Sequence, residues 1–261
     1  MRAHVLSTPQ SGDEEALRRL WKRVFQDADE YIDGWFRCWY DPELTLCVRG
    51  AEIISMGFLL DAGSFLGKPC AMIYAVATDE AHRGKGLATE IVRGLRETAR
   101  TRGFGCTVLK PAEPTLFDFY REHAGFLPSF TASEGVFADG GSSLDAREIP
   151  VAEYRALREA QLAGTAHLDL SERALGWFAA SGGSLWKIGT DACAAAETED
   201  GQLVLKELLC DPAQRREAAL SVTRASGADS CLARWPDRNG APFAMSDTPG
   251  QAGAWLGLAF D

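Results

Sequence analysis

The stretch Ile73-Tyr74-Ala75-Val76-Ala77-Thr78-Asp79-Glu80-Ala81-His82-Arg83-Gly84-Lys85-Gly86-Leu87-Ala88 decides how the rest of the chain is read. Its apolar start predicts a buried strand over Ala71–Thr78. From Leu87 onward, Leu87, Ile91, Leu95 and Ala99 recur at helical spacing, with Arg93, Arg96, Glu97 and Arg100 on the far face, which predicts a helix to about Arg102. Between strand and helix stand two glycines interleaved with two cations. A strand that runs through such a turn into a helix gathers backbone N–H groups and the positive end of the helix dipole at one point, where phosphate binds well. Gly84 and Gly86 permit positive φ and close backbone approach, and Arg83 and Lys85 add charge. The spacing is shorter than a P-loop and lacks Lys followed by Ser or Thr; nor is it G-x-G-x-x-G, since Ala88 and Thr89 follow Gly86-Leu87. By itself the turn reads equally as a helix start with two permissive glycines.

Upstream, Leu17, Leu20, Trp21 and Phe25 predict a helix over Asp13–Phe25. Asp27–Tyr40, acidic at its front and aromatic behind, predicts a second that ends at Asp41-Pro42. Leu44–Val48 and Ile53–Leu60 read as a hairpin. Downstream, Gly103-Phe104-Gly105 breaks the long helix before a strand at Cys106–Lys110 and a short helix at Thr115–Glu122. Gly125-Phe126 opens a strand region to Phe137, Asp139-Gly140-Gly141 turns, and Leu144–Ile149 follows. This order defines an α/β class. Pro150 begins a second half with helices at Val151–Leu162 and Ser171–Ala180, a strand at Leu185–Ile188 and a hairpin at Cys193–Cys210 around Glu199-Asp200-Gly201. Leu208–Ala219 then repeats the strand, turn and helix step, with Arg216 and Ala218 expected where Gly84 and Gly86 stand, so a degenerate internal repeat is expected.

The chain has 261 residues, 46% hydrophobic and 25% charged, with 27 Lys plus Arg against 37 Asp plus Glu for a net charge of −10. That balance excludes a disordered or collagen-like chain and argues against non-specific nucleic-acid binding, while a cationic partner is compatible with it. No window approaches the ~18 apolar residues of a membrane helix, and the start shows no apolar export segment, so no membrane role and a cytoplasmic location are expected. The seven cysteines form an odd, scattered set without C-x-x-C, which speaks against a disulfide framework and a zinc site.

Arg83, Gly86 and Ala88 meet the R/Q-x-x-G-x-G/A pattern of the GNAT N-acetyltransferases, and the strand before them resembles that family's acetyl-CoA strand. A second motif agrees: Lys110-Pro111-Ala112-Glu113, then Leu116-Phe117-Asp118-Phe119-Tyr120 and Gly125-Phe126, resembles the family's downstream strand and helix with its tyrosine. The wording also resembles the Eis-like branch, in which a second, degenerate GNAT domain follows and often a sterol-carrier-like third, for which this chain is too short. The resemblance implies a GNAT acyl-CoA N-acyltransferase fold, an α/β (α+β) mixed sheet, at residues 1–149, and a degenerate, non-catalytic GNAT-like domain at 150–261.

It further implies acetyl-CoA as cosubstrate, no metal, and transfer of the acetyl group to a small-molecule primary amine by direct attack. A non-catalytic acyl-CoA-binding regulatory module is the alternative. The backbone of Val76, Ala77 and Thr78 is expected to bind the pantetheine arm and acetyl carbonyl. Gly84, Lys85, Gly86, Leu87, Ala88 and Thr89 would cradle the pyrophosphate beside Arg83, and Glu113 would contact CoA or water. Tyr120 matches the tyrosine that protonates the departing thiolate, as a phenol with pKa ~10 can. No base is singled out: the carboxylate at Asp261 is a candidate by resemblance, with Glu30, Asp33, His82 and His123 as others. Trp35, Phe36, Trp39 and Tyr40 read as core at such spacing, yet the segment borders the family's acceptor pocket, so Glu30, Asp33, Trp35 and Phe36 are expected at the amine site. For the second domain, packing, closure of that pocket and self-association as a homo-oligomer all remain open.

Overall fold

The computed structural model describes residues 4–138, 140–248 and 252–258. The chain folds into two compact units, the first comprising Met1–Ala62, Gly67–Leu127 and Met245–Thr248, the second Gly63–Leu66, Pro128–Ala244 and Pro249–Asp261. The boundary expected between residues 149 and 150 thus lies inside the second unit. Asp139, in the expected turn, lies outside the described residues.

In chain order the elements are β1 (Val5–Ser7), α1 (Glu14–Phe25), α2 (Asp29–Trp39), β2 (Thr45–Arg49), β3 (Ile53–Phe65), β4 (Lys68–Thr78), α3 (Leu87–Thr101), β5 (Cys106–Leu109) and α4 (Leu116–Ala124). In the first unit β1, β2, β3, β4 and β5 are neighbours in that order, and Met245 and Ser246 add an antiparallel rung to β5. The β3 strand runs past the expected Leu60 because Leu66 and Gly67 both take positive φ, 53° and 73°, the conformation that suits a two-residue hairpin turn.

Strand alternation sends successive side chains to opposite faces, and the first unit fills each face differently. Leu87, Ile91, Val92, Leu95 and Ala99 of α3 meet Leu59, Ala71 and Ile73 on one face. On the other, Trp21 of α1 and Trp35 and Phe36 of α2 pack around Phe58 of β3, with ring centroids 4.7–5.9 Å apart. Rings of this size bury ~150–250 Å² each, so the aromatic half of α2 is spent on the core.

The second unit contains β6 (Leu127–Ala138, from Pro128), β7 (Ala146–Glu148), α5 (Val151–Gln161), β8 (Leu168–Leu170), α6 (Glu172–Ala180), β9 (Ser184–Ile188), β10 (Ala192–Glu199), β11 (Gln202–Leu209), α7 (Arg215–Ala225), β12 (Ser230–Pro236) and most of β13 (Ala241–Ser246). Strands β6, β12, β11, β10, β9 and β7 are neighbours in that order, with β11 and β12 parallel. The hairpin at Cys193–Cys210 is present as β10 and β11, turning at Asp200 and Gly201, both at positive φ. Near the end of the chain Ala254 and Trp255 make single bridges, to Phe130 and His167, and residues 259–261 lie outside the described residues.

One turn of each unit starts alike. Asp79 accepts a hydrogen bond from the Ala81 N–H to start a 3-10 turn at Glu80–His82, and Asp211 does the same for Ala213 at Pro212–Gln214. In the second unit α7 then begins at once, at Arg215. Arg216 and Ala218 therefore lie inside the helix and do not stand where Gly84 and Gly86 would be; Arg83-Gly84-Lys85-Gly86 has no counterpart.

Candidate active site

Strands β4 and β5 run parallel and pair over three rungs only, Cys70 with Cys106, Ala71 with Thr107 and Met72 with Val108. Beyond Met72 the strand β4 continues to Thr78 with no further rung to β5. Here Ala75 takes φ 46°, a left-handed conformation that costs a non-glycine residue roughly 1–3 kcal/mol. Tyr74, Ala75 and Val76 are partly exposed in a strand whose preceding residues, Cys70–Ile73, are buried. The strand end is held from behind: the Ser55 hydroxyl donates to the Ala77 carbonyl at 2.8 Å and lies 2.9 Å from Thr78 Oγ1, and the Asp79 N–H donates to the Ile54 carbonyl.

The turn follows directly. Gly84 and Gly86 have φ 72° and 79°, and a Cβ at either would meet nothing within 4 Å. Conformation, not crowding, is what asks for glycine there. Gly86 caps α3 with no side chain, so the N–H groups of the first helical turn, Leu87, Ala88 and Thr89, are the orphan donors of a helix N-terminus. Arg83 and Lys85 are exposed and fold back on the turn, Arg83 Nε donating to the Thr78 carbonyl at 3.3 Å and Lys85 Nζ to the Ala81 carbonyl at 2.9 Å. Strand opening, glycine turn and helix start together offer donors for an acyl carbonyl, an amide arm and a pyrophosphate. The residues present fit an acyl-CoA.

Tyr120 lies on α4 and packs against the α3 side of the core, its ring 5.2 Å from Phe119 and 6.5 Å from Phe126. Burial pushes its phenol up to about 12, so it keeps its proton at neutral pH and has one to donate. Glu113 sits in the turn before α4, where its Oε2 accepts from Thr115 Oγ1 at 3.4 Å and its carbonyl from the Leu116 N–H.

The expected amine-site residues are distributed otherwise. Trp35 and Phe36 are 1% and 4% exposed and belong to the aromatic core, which leaves almost none of either ring for a ligand. Glu30 is exposed, and exposed Asp33 pairs with Arg18 at 2.5 Å. His82 stays beside Asp79 at 3.3 Å, and His123 packs on Phe119. Asp261 lies outside the described residues. Instead, Tyr74 stacks on Trp35 at 5.9 Å and 14°, and its hydroxyl lies 3.0 Å from that of Tyr31 on α2. The Trp35 indole N–H is buried without a hydrogen-bond partner among the described residues. Tyr74 carries the polar tip in the Ile73–Ala77 run, and that was the available signal for it.

The acetyltransferase (GNAT) family profile matches residues 14–126, and the fold is the GNAT fold, a mixed α/β architecture. Among solved structures, a GCN5-related N-acetyltransferase from Kribbella flavida is 19% identical with a TM-score of 0.70, covering 95% of this chain and 72% of its own. A tandem GNAT protein from the clavulanic acid biosynthesis pathway is 12% identical with a TM-score of 0.60, covering 95% and 100%. Eis1 from Mycobacterium abscessus is 12% identical with a TM-score of 0.57, covering 92% and 66%. At such identities the likeness is one of fold. Among curated proteins none matches. Among the described residues no helix is long and apolar enough to cross a membrane, and no cluster of His, Cys, Asp or Glu could hold a metal ion.

Proposed function

We propose that the first unit is an acetyl-CoA-dependent N-acetyltransferase that acts in the cytosol on a small-molecule primary amine. The parting of β4 from β5 after Met72, ahead of a left-handed Ala75, carries this reading, because it frees backbone donors beside a glycine turn. Val76, Ala77 and Thr78 hold the pantetheine arm and the thioester carbonyl, and one of their N–H groups stabilises the oxyanion as the amine attacks. Gly84 to Thr89 take the pyrophosphate on backbone N–H groups, with Arg83 and Lys85 supplying charge. Tyr120 hands its proton to the leaving thiolate. Tyr31 and Tyr74 take the place of Trp35 and Phe36 beside the acceptor.

The second unit has no acyl-CoA site of its own in this reading. Its α7 starts without a glycine turn, and Lys206–Leu209, which correspond to Tyr74–Ala77 by distance from Asp211 and Asp79, are buried throughout. Glu207 thus stands where Ala75 does, held by the Arg158 guanidinium.

Thermal unfolding and calorimetric titration with acetyl-CoA and CoA test both parts. A ligand that binds only the native state raises the midpoint. We expect a rise with either ligand and one equivalent of acetyl-CoA bound per chain. No shift at millimolar acetyl-CoA overturns the transferase reading, and two equivalents overturn the reading of the second unit.

A further inference from the structure

The sequence reads its cysteines as scattered, but the fold sets two of them side by side. Cys70 and Cys106 are Cα partners at the first rung of the β4–β5 ladder. Partners in a parallel ladder project to the same face from strands ~4.7–4.9 Å apart, within the ~4.4–6.8 Å between Cα atoms that a disulfide spans. Cys70 Sγ donates to the Ala71 carbonyl at 3.9 Å and Cys106 Sγ to the Pro69 carbonyl at 4.0 Å, and each thiol is the largest influence on the titration of the other.

Both side chains are buried, at 0% and 3% exposure, yet Lys68, Pro69 and Gly105 beside them are exposed, so the pair lies just inside the outer end of the two strands. Lys68, Asp61, Asp247 and Thr248 are the charged and polar groups around it. The neighbouring Cys70 thiol holds the Cys106 thiol below its usual range, with burial and Asp247 opposing and Lys68 assisting. The Cys106 thiol, with burial, pushes Cys70 up. Cys106 is therefore the first of the two to supply a thiolate, the reactive form.

We propose that Cys70 and Cys106 form a redox modification site, a dithiol at the closed end of the β4–β5 opening that a peroxide converts reversibly into a cross-strand disulfide. The Cys106 thiolate attacks one oxygen of hydrogen peroxide, the O–O bond breaks, and a sulfenic acid and hydroxide result. The hydroxide takes the Cys70 proton. The Cys70 thiolate then attacks the sulfenic sulfur and expels a second hydroxide, which takes up the proton first lost by Cys106. Two thiols and one peroxide thus give one disulfide and two waters, the peroxide gaining the two electrons that the sulfurs lose. The bond would tie the strands two rungs before they part. The sulfur chemistry stands without the acyl-CoA reading; only its effect on ligand binding rests on that reading.

The full chain is treated with hydrogen peroxide, unfolded in an alkylating agent and analysed by mass spectrometry. We expect a loss of two hydrogens, a cross-linked peptide pair joining Cys70 to Cys106, and full reversal by dithiothreitol. Cys70→Ala should abolish the cross-link and let a sulfenic-acid trap label Cys106, and Cys106→Ala should abolish it without such labelling. Wild-type protein whose Cys70 and Cys106 both stay open to alkylation, or whose cross-links join other cysteines, overturns the proposal; this needs no variant to fold. Acetyl-CoA titration of reduced and oxidised protein separates the two readings: a cross-link in protein that never binds acetyl-CoA leaves the dithiol standing and removes the transferase.

Discussion

Tyr120 shows what a single residue's surroundings decide. Its phenol has no ionised partner among the described residues, and burial lifts it to about 12. In the proposed transferase, where Tyr120 would protonate the leaving thiolate, that shift preserves the donor across the physiological range. Tyr120→Phe keeps the ring packed on Phe119 and Phe126, so acetyl-CoA binding should persist while kcat falls about 100-fold in a thiol-release assay. The same shift has a stability signature. Below pH ~10 the phenol is protonated in folded and unfolded chains alike; between ~10 and 12 the unfolded chain ionises first, and stability drains away as pH rises. Urea unfolding at pH 9 and pH 11 should show a smaller alkaline loss for Tyr120→Phe than for wild type. Trp35 teaches the converse lesson. Its position on α2 could be read from spacing, but whether its ring faced ligand or core depended on Phe58 and Tyr74, brought against it from distant strands.

At the scale of elements, the strand, turn and helix at residues 71–102 were legible because three local signals coincide: an apolar run, glycines at the turn and a 3.6-residue stripe. The parallel partner β5 was legible too, as a short strand after Gly103-Phe104-Gly105. What was not legible is how far β4 and β5 stay paired, since the length of a ladder is set by register between strands and leaves no mark within either one. The misplaced repeat has a similar cause: Asp211-Pro212-Ala213-Gln214 resembles Asp79-Glu80-Ala81-His82 in its turn chemistry, but a missing four-residue turn cannot be seen by matching positions one to one. The turn itself is open to test. Gly86→Ala introduces a Cβ that meets no atom but must adopt φ 79°, so the cost is conformational, about 1–2 kcal/mol. Chemical unfolding should register that loss, and acetyl-CoA affinity should fall with it because the α3 N–H groups are displaced.

For the molecule as a whole, the two units differ at the residue four positions before an aspartate that starts a 3-10 turn, Asp79 in one and Asp211 in the other. At Ala75 the first unit leaves backbone exposed; at Glu207 the second buries a carboxylate that accepts from Tyr154, Arg158 and Trp255, with Arg158 and Glu207 both fully buried. Removing one member of such a pair strands the other charge. Arg158→Met should therefore destabilise the second unit by about 3–5 kcal/mol, and Arg158→Met with Glu207→Leu should recover much of it, as urea unfolding would show. Composition and charge made a folded, acidic chain legible, but not how the sequence is shared between the units. The first unit takes in Met245–Thr248, where Asp247 pairs with Arg96 at 3.3 Å and accepts from the Thr107 N–H at 2.8 Å. On the ribosome, where domains generally form in the order they emerge, this unit must wait: the carboxylate that pairs with Arg96 is translated 151 codons after it, so the first unit is completed only after Pro128–Ala244 of the second has been made.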